Sequence, residues 1–142
     1  MKLAFLFAGQ GSQKAGMGRD LYENYPAFRA AFDSAELDFD LKRVCFEDPD
    51  GVIGKTRYTQ PCMVAFAAGV AAVLAENGIA PDYAAGLSLG EYSALHAAGV
   101  FTAKQAIELV AFRGAAMEKA AEGVESAMTA VLMLGREALE RC

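Results

Sequence analysis

Residues Gly86-Leu87-Ser88-Leu89-Gly90 have the Gly-x-Ser-x-Gly spacing of a nucleophile elbow, a sharp strand-to-helix turn that lifts a serine hydroxyl clear of a sheet. A serine presented this way can open an ester or thioester and carry the acyl group itself. Glycines two residues to either side are needed because a β-carbon at Gly86 or Gly90 would strike the turn or crowd the hydroxyl. Under this reading the Leu89 N–H, directly after the serine at a helix N-terminus, is one donor to the oxyanion that forms during attack. A plainer reading is also open: Ser88-Leu89-Gly90-Glu91 is S-x-x-E, a capping box, and Ser88 would then only cap a helix.

A serine hydroxyl is weak without a base beside it. The sequence holds one histidine, His96. It lies about 12 Å up the expected helix from Ser88 at 1.5 Å per residue, beyond hydrogen-bond reach, and is read as a helix-surface or interface residue. Arg113 is the other residue with chemical promise, set in the apolar run Val110-Ala111-Phe112 and Gly114-Ala115-Ala116-Met117. A guanidinium in such a place needs a partner. That partner is either an internal carboxylate, Glu91 or Glu118, or a ligand carboxylate gripped by the two-pronged donor face.

The elements that must position these residues follow from pattern. Residues 3–8 form a continuous apolar run ended by glycine, as expected for an interior parallel strand. It feeds the loop Gly9-Gln10-Gly11-Ser12-Gln13. The dinucleotide fingerprint fails there because Lys14 stands at the third glycine, and Gly-Lys-Ser/Thr is absent, which removes the P-loop. What remains is an ordinary turn, or a loop whose amides approach something closely. Residues 20–37 read as a helix split at Pro26, and 41–46 as a short helix stopped by Asp48-Pro49-Asp50-Gly51. Residues 52–58 read as loop. Thr59 is expected to cap a long helix to Asn77, with Pro61 in its first turn. A strand over 82–87 leads into the elbow, and a helix over 89–98 leaves it. Thr102 caps a further helix from 103 to about 121 that carries Arg113. A strand over 127–134 and a helix from 136 follow, too little for a domain of their own, so the chain reads as the front half of something longer.

At 142 residues and 54% hydrophobic, the chain is one globular unit without repeats or low-complexity segments. A net charge of −5 argues against nucleic acid and anionic membranes, so any acidic ligand must meet local cations; Lys14, Arg19, Lys55 and Arg57 are the candidates. Cys45, Cys62 and Cys142 lack metal-ligand spacing and suit a reducing cytoplasm. The N-terminus has no signal-peptide pattern, and the apolar run 61–75 is shorter than a membrane span.

Three motifs stand in order: Gly9-Gln10-Gly11-Ser12-Gln13, Gly86-Leu87-Ser88-Leu89-Gly90-Glu91-Tyr92-Ser93, and Phe112-Arg113-Gly114-Ala115-Ala116-Met117. Together they resemble the malonyl-CoA:acyl carrier protein transacylases of bacterial fatty-acid synthesis and the acyltransferase domains of polyketide synthases. Tyr58-Thr59-Gln60-Pro61 and Ser126-Ala127-Met128 sit where that family has similar residues. The resemblance implies an α/β fold: an α/β-hydrolase-like large subdomain with a parallel sheet over 1–123, and at 124–142 the start of an inserted ferredoxin-like small subdomain.

It also implies a ping-pong transfer of malonyl from malonyl-CoA to the phosphopantetheine thiol of acyl carrier protein through a malonyl-Ser88 ester. The Gln10 N–H becomes the second oxyanion donor, Arg113 binds the malonyl carboxylate, and no metal or covalent cofactor is used. Leu87 departs from the family, which often has His before the serine. The family's catalytic His falls beyond residue 142, so the remaining C-terminal half of the enzyme is an implied partner and the chain alone is expected to be inactive. An α/β-hydrolase esterase or thioesterase, or a non-catalytic fragment, are the competing readings.

Overall fold

The computed structural model describes residues 2–125, 133 and 135–141. Two strands, β1 (Ala4–Phe7) and β2 (Tyr83–Gly86), pair in parallel with Ala4 opposite Tyr83 and Phe7 opposite Gly86. Parallel pairing needs a long crossover, and here it comprises α1 (Arg19–Asn24), α2 (Pro26–Phe32), a one-turn π-helix at Arg43–Glu47 and α3 (Thr56–Glu76). After β2 come α4 (Gly90–Ala97), α5 (Ala103–Ala120) and α6 (Arg136–Leu139). The chain is thus mixed α/β with a parallel sheet.

The core lies among α2, α3 and α5. Phe28 and Phe32 from α2 meet Val64 and Ala65 of α3, while Ile107 and Val110 close it from α5. Two glycines set the helix spacing. A β-carbon on Gly69 would lie 2.5 Å from the Phe28 ring, and one on Gly114 would lie 2.9 Å from the Thr56 carbonyl. By length and composition α3 could cross a membrane, being longer than the apolar run within it; in this fold its buried residues pack against α2 and α5. Cys45 and Cys62 are buried free thiols, and hydrogen bonding between them together with burial drives the Cys62 thiol far above its ordinary range.

Several expectations need correction. The run 3–8 predicts a strand buried on both faces, yet Leu6 is 80% exposed, because no second layer covers that face among the described residues. The helix after Pro26 ends at Phe32, not 37. The short helix at 41–46 is mostly π-helix and runs to Glu47. The long helix starts at Thr56, so Thr59 is no cap and Pro61 lies inside the helix. The Thr59 hydroxyl instead donates back to the carbonyls of Ile53 (2.5 Å) and Lys55 (3.0 Å). Thr102 does cap α5: its hydroxyl accepts from the Gln105 N–H and the Gln105 side chain accepts from the Thr102 N–H. Apart from Met133, the strand expected over 127–134 and the Ser126-Ala127-Met128 motif lie outside the described residues.

Candidate active site

The turn between β2 and α4 is closed by backbone bonds. Leu87 N–H donates to the Phe7 carbonyl at 3.2 Å, and Gly90 N–H to the Leu87 carbonyl at 2.9 Å. Both flanking glycines are sterically required. A β-carbon on Gly86 would sit 2.0 Å from the Gly90 carbonyl carbon, and one on Gly90 would sit 2.2 Å from the Phe7 carbonyl oxygen. The chain therefore turns at Ser88, which takes φ +52°, a left-handed conformation that costs a non-glycine residue about 1–3 kcal/mol. Ser88 is exposed at the tip.

The capping alternative fails on geometry. Leu89 is the residue that precedes α4, no side chain caps the helix, and Glu91 N–H bonds the Ser88 backbone carbonyl at 3.1 Å. The Ser88 hydroxyl instead accepts from Arg113 Nη2 at 3.2 Å. Leu89 itself is buried and anchors the turn in the core.

Arg113 reaches Ser88 from α5, with its guanidinium carbon 5.5 Å from the centre of the Tyr92 ring on α4. Among the described residues it has no carboxylate within ion-pair distance, so pairing with Glu91 or Glu118 is not what holds it. Its surroundings are wetter than the run 110–117 suggests: Arg113 is half-buried, and Phe112 is 73% exposed. The reason is helical geometry, since sequence neighbours on a helix point in different directions.

Gln10 lies in the loop after β1, its side chain donating to Thr56 Oγ1 at 3.1 Å, and Gly11 N–H is tied to the Gln13 side chain at 2.8 Å. Gly9 abuts the elbow, a β-carbon there falling 2.9 Å from the Leu87 carbonyl. The backbone N–H groups of Gln10 and Leu89 have no hydrogen-bond partner among the described residues. His96 is engaged elsewhere, its Nδ1 lying 2.9 Å from the Phe101 carbonyl beyond the end of α4. Of the candidate cations, Arg19 reaches Glu47 and the Phe46 carbonyl, and Arg57 pairs with Asp38. Lys14 and Lys55 have no ion-pair partner among the described residues.

Ser88, Leu89 and Arg113 thus converge, with the Gln10 loop against the same turn. Tyr92 joins them beside Arg113 and Thr56 beside Gln10, although the sequence alone gives neither a role. Tyr92 has a signal, standing one helical turn after Ser88 on the elbow helix.

The acyl transferase domain family model matches residues 4–142. The chain belongs to the acyl transferase domain family. A malonyl CoA-acyl carrier protein transacylase of Bacillus subtilis is 44% identical over 142 residues, covering 99% of this chain and 45% of that relative. The crystal structure of a malonyl CoA-acyl carrier protein transacylase from Clostridium perfringens superposes with a TM-score of 0.80 at 32% identity, covering 99% of this chain and 45% of that one. A malonyl-transacylase solved in complex with its type II PKS acyl-carrier protein superposes at 0.78 with 42% identity, over 84% of this chain and 40% of that one. This acyl transferase chain therefore spans less than half the length of the relatives it matches.

Proposed function

We propose that the protein moves a malonyl group from CoA to the phosphopantetheine thiol of an acyl carrier protein. Ser88 Oγ attacks the malonyl thioester carbonyl, the C–S bond breaks, and CoA leaves as the thiol with the serine proton, passed through a base. The carrier thiol then attacks the malonyl-serine ester, and the proton returns to Ser88. The unpaired N–H groups of Leu89 and Gln10 hold the oxyanion in both halves. Arg113 binds the free carboxylate of the malonyl group through its fork of donors.

One observation carries this reading: a guanidinium without a carboxylate partner among the described residues rests on the hydroxyl of an elbow serine. A plain esterase has no use for a cation at that spot. No metal or covalent cofactor enters the chemistry.

The resemblance places the base beyond residue 142; among the described residues, the Arg113 guanidinium on Ser88 cannot accept the serine proton and His96 Nδ1 faces the Phe101 carbonyl. We assign residues 1–123 to an α/β-hydrolase-like large subdomain and 124–142 to the start of a ferredoxin-like small one, with a C-terminal half as partner. Two buried free thiols suit work in a reducing cytoplasm. Charging the intact protein with malonyl-CoA, followed by mass analysis, is expected to show a malonyl adduct on Ser88 that Ser88→Ala abolishes. The adduct should discharge onto a carrier-protein thiol. Discharge to free malonate at the same rate without that thiol would make the protein a hydrolase.

A further inference from the structure

Gln60 is fully buried on α3, and its Oε1 has no hydrogen-bond partner among the described residues. Its Nε2 donates to Met117 Sδ at 3.3 Å, a weak acceptor. Met117 follows Arg113 by one turn of α5, about 5.4 Å along the axis. On α3, Thr56 precedes Gln60 by one turn and receives the Gln10 side chain. Gly114 lets the two helices approach at this level. The orphan acceptor therefore sits in the α3–α5 seam, a turn away from a cation that lacks a carboxylate partner.

The Arg113 bond occupies one of the two lone pairs of the Ser88 oxygen and lowers its nucleophilicity, so acyl transfer is favoured when the guanidinium moves off Ser88. We propose that Gln60 is a positioning residue for Arg113: when an acyl carboxylate draws the guanidinium away from Ser88, Gln60 Oε1 accepts one of its N–H groups and fixes the fork toward the carboxylate. Arg113 has five such donors, enough for both partners. A neutral amide suits this task, because a carboxylate at position 60 would cancel the charge intended for the substrate. The inference rests on the malonyl-transfer reading and names the device that selects a carboxylated acyl group.

The test uses the intact protein expressed from its own locus and compares the malonyl to acetyl ratio of kcat/KM. Gln60→Met keeps the volume but removes the acceptor; replacing an unsatisfied buried polar group by an apolar one of similar shape is neutral or stabilising, so Tm should hold or rise. The ratio should fall about tenfold, and in an Arg113→Ala background the same change should move it less than about twofold, as expected for residues acting as one unit. Gln60→Glu should also lower the ratio. An unchanged ratio in folded Gln60→Met, or an equal effect without Arg113, overturns the assignment. So does loss of folding in both Gln60→Met and Gln60→Leu, which would make the amide structural. A parent that forms no malonyl-serine fails the proposed activity and this assignment together. A parent that forms it while the ratio ignores position 60 fails this assignment alone.

Discussion

Ser88 and Arg113 show how far single residues can be read. The serine's left-handed backbone sits in a turn packed too tightly for side chains on either flank, Gly86 lying against the Gly90 backbone and Gly90 against the Phe7 carbonyl. Gly86→Ala should therefore destabilise the protein by about 1–3 kcal/mol or more through overpacking, whereas Gly54→Ala, with open space around it and an ordinary φ, should change little; urea midpoints compare them. Arg113→Ala should cut malonyl kcat/KM by about 2–3 kcal/mol, roughly 30- to 150-fold, toward the low end for truncating one member of a charge pair because the guanidinium is half-exposed. Acetyl transfer should fall less. Equal losses for both acyl groups would make Arg113 a structural residue. The glycine spacing makes the elbow legible from sequence, since backbone crowding is local. Thr56 and Gln60 are not legible there as site residues. The bonds of Thr56 to Gln10 and of Gln60 to Met117 depend on how closely α3 and α5 pack, which Gly114 permits but no local pattern announces.

At the scale of elements, local chemistry is readable where a side chain bonds its own backbone, and lost where a distant segment competes. Thr102 and Gln105 complete a capping box with no help from elsewhere, so the start of α5 falls where its sequence says. Thr102→Ala should cost about 0.5–2 kcal/mol in chemical denaturation. Thr59 misleads because its hydroxyl is spent on the Ile53 and Lys55 carbonyls, while the Asp48 side chain, accepting from Val52 and Ile53 N–H, fixes the preceding turn. The sheet has a clamp of its own. Asp82, just ahead of β2, accepts from Lys2 Nζ and from Leu3 N–H, both at 2.8 Å, across the entry to β1. The Lys2 ammonium first, then the Leu3 amide, hold the Asp82 carboxyl below its ordinary value. A depressed folded-state pKa adds stability above the unfolded-state value and surrenders it as pH falls through the folded one. Asp82→Asn should thus lower Tm at neutral pH, and the gap from the parent should close below about pH 4, where unfolded-state aspartates protonate. A gap that persists at pH 2 would mean the charge is irrelevant.

For the whole molecule, what matters is which surfaces the described residues leave uncovered. Among the described residues β1 pairs only with β2, and its Leu6 is 80% exposed. A groove of about 570 Å³ opens between β1 and α3, lined by Phe5, Phe7, Phe66 and Val70 among others. An open strand edge beside apolar surface invites pairing with another chain. The 142-residue polypeptide, purified alone, should therefore self-associate in sizing chromatography. It should also fail to turn over, because Ser88 Oγ meets only the Arg113 guanidinium among the described residues, and that group gives protons without taking them. The two failures are separable. A polypeptide that stayed monodisperse yet transferred nothing would show that the edge is tolerated while the base is missing. Turnover at the rate of a longer relative, with mass analysis confirming 142 residues and no second chain, would mean that a group already within this fold takes the serine proton.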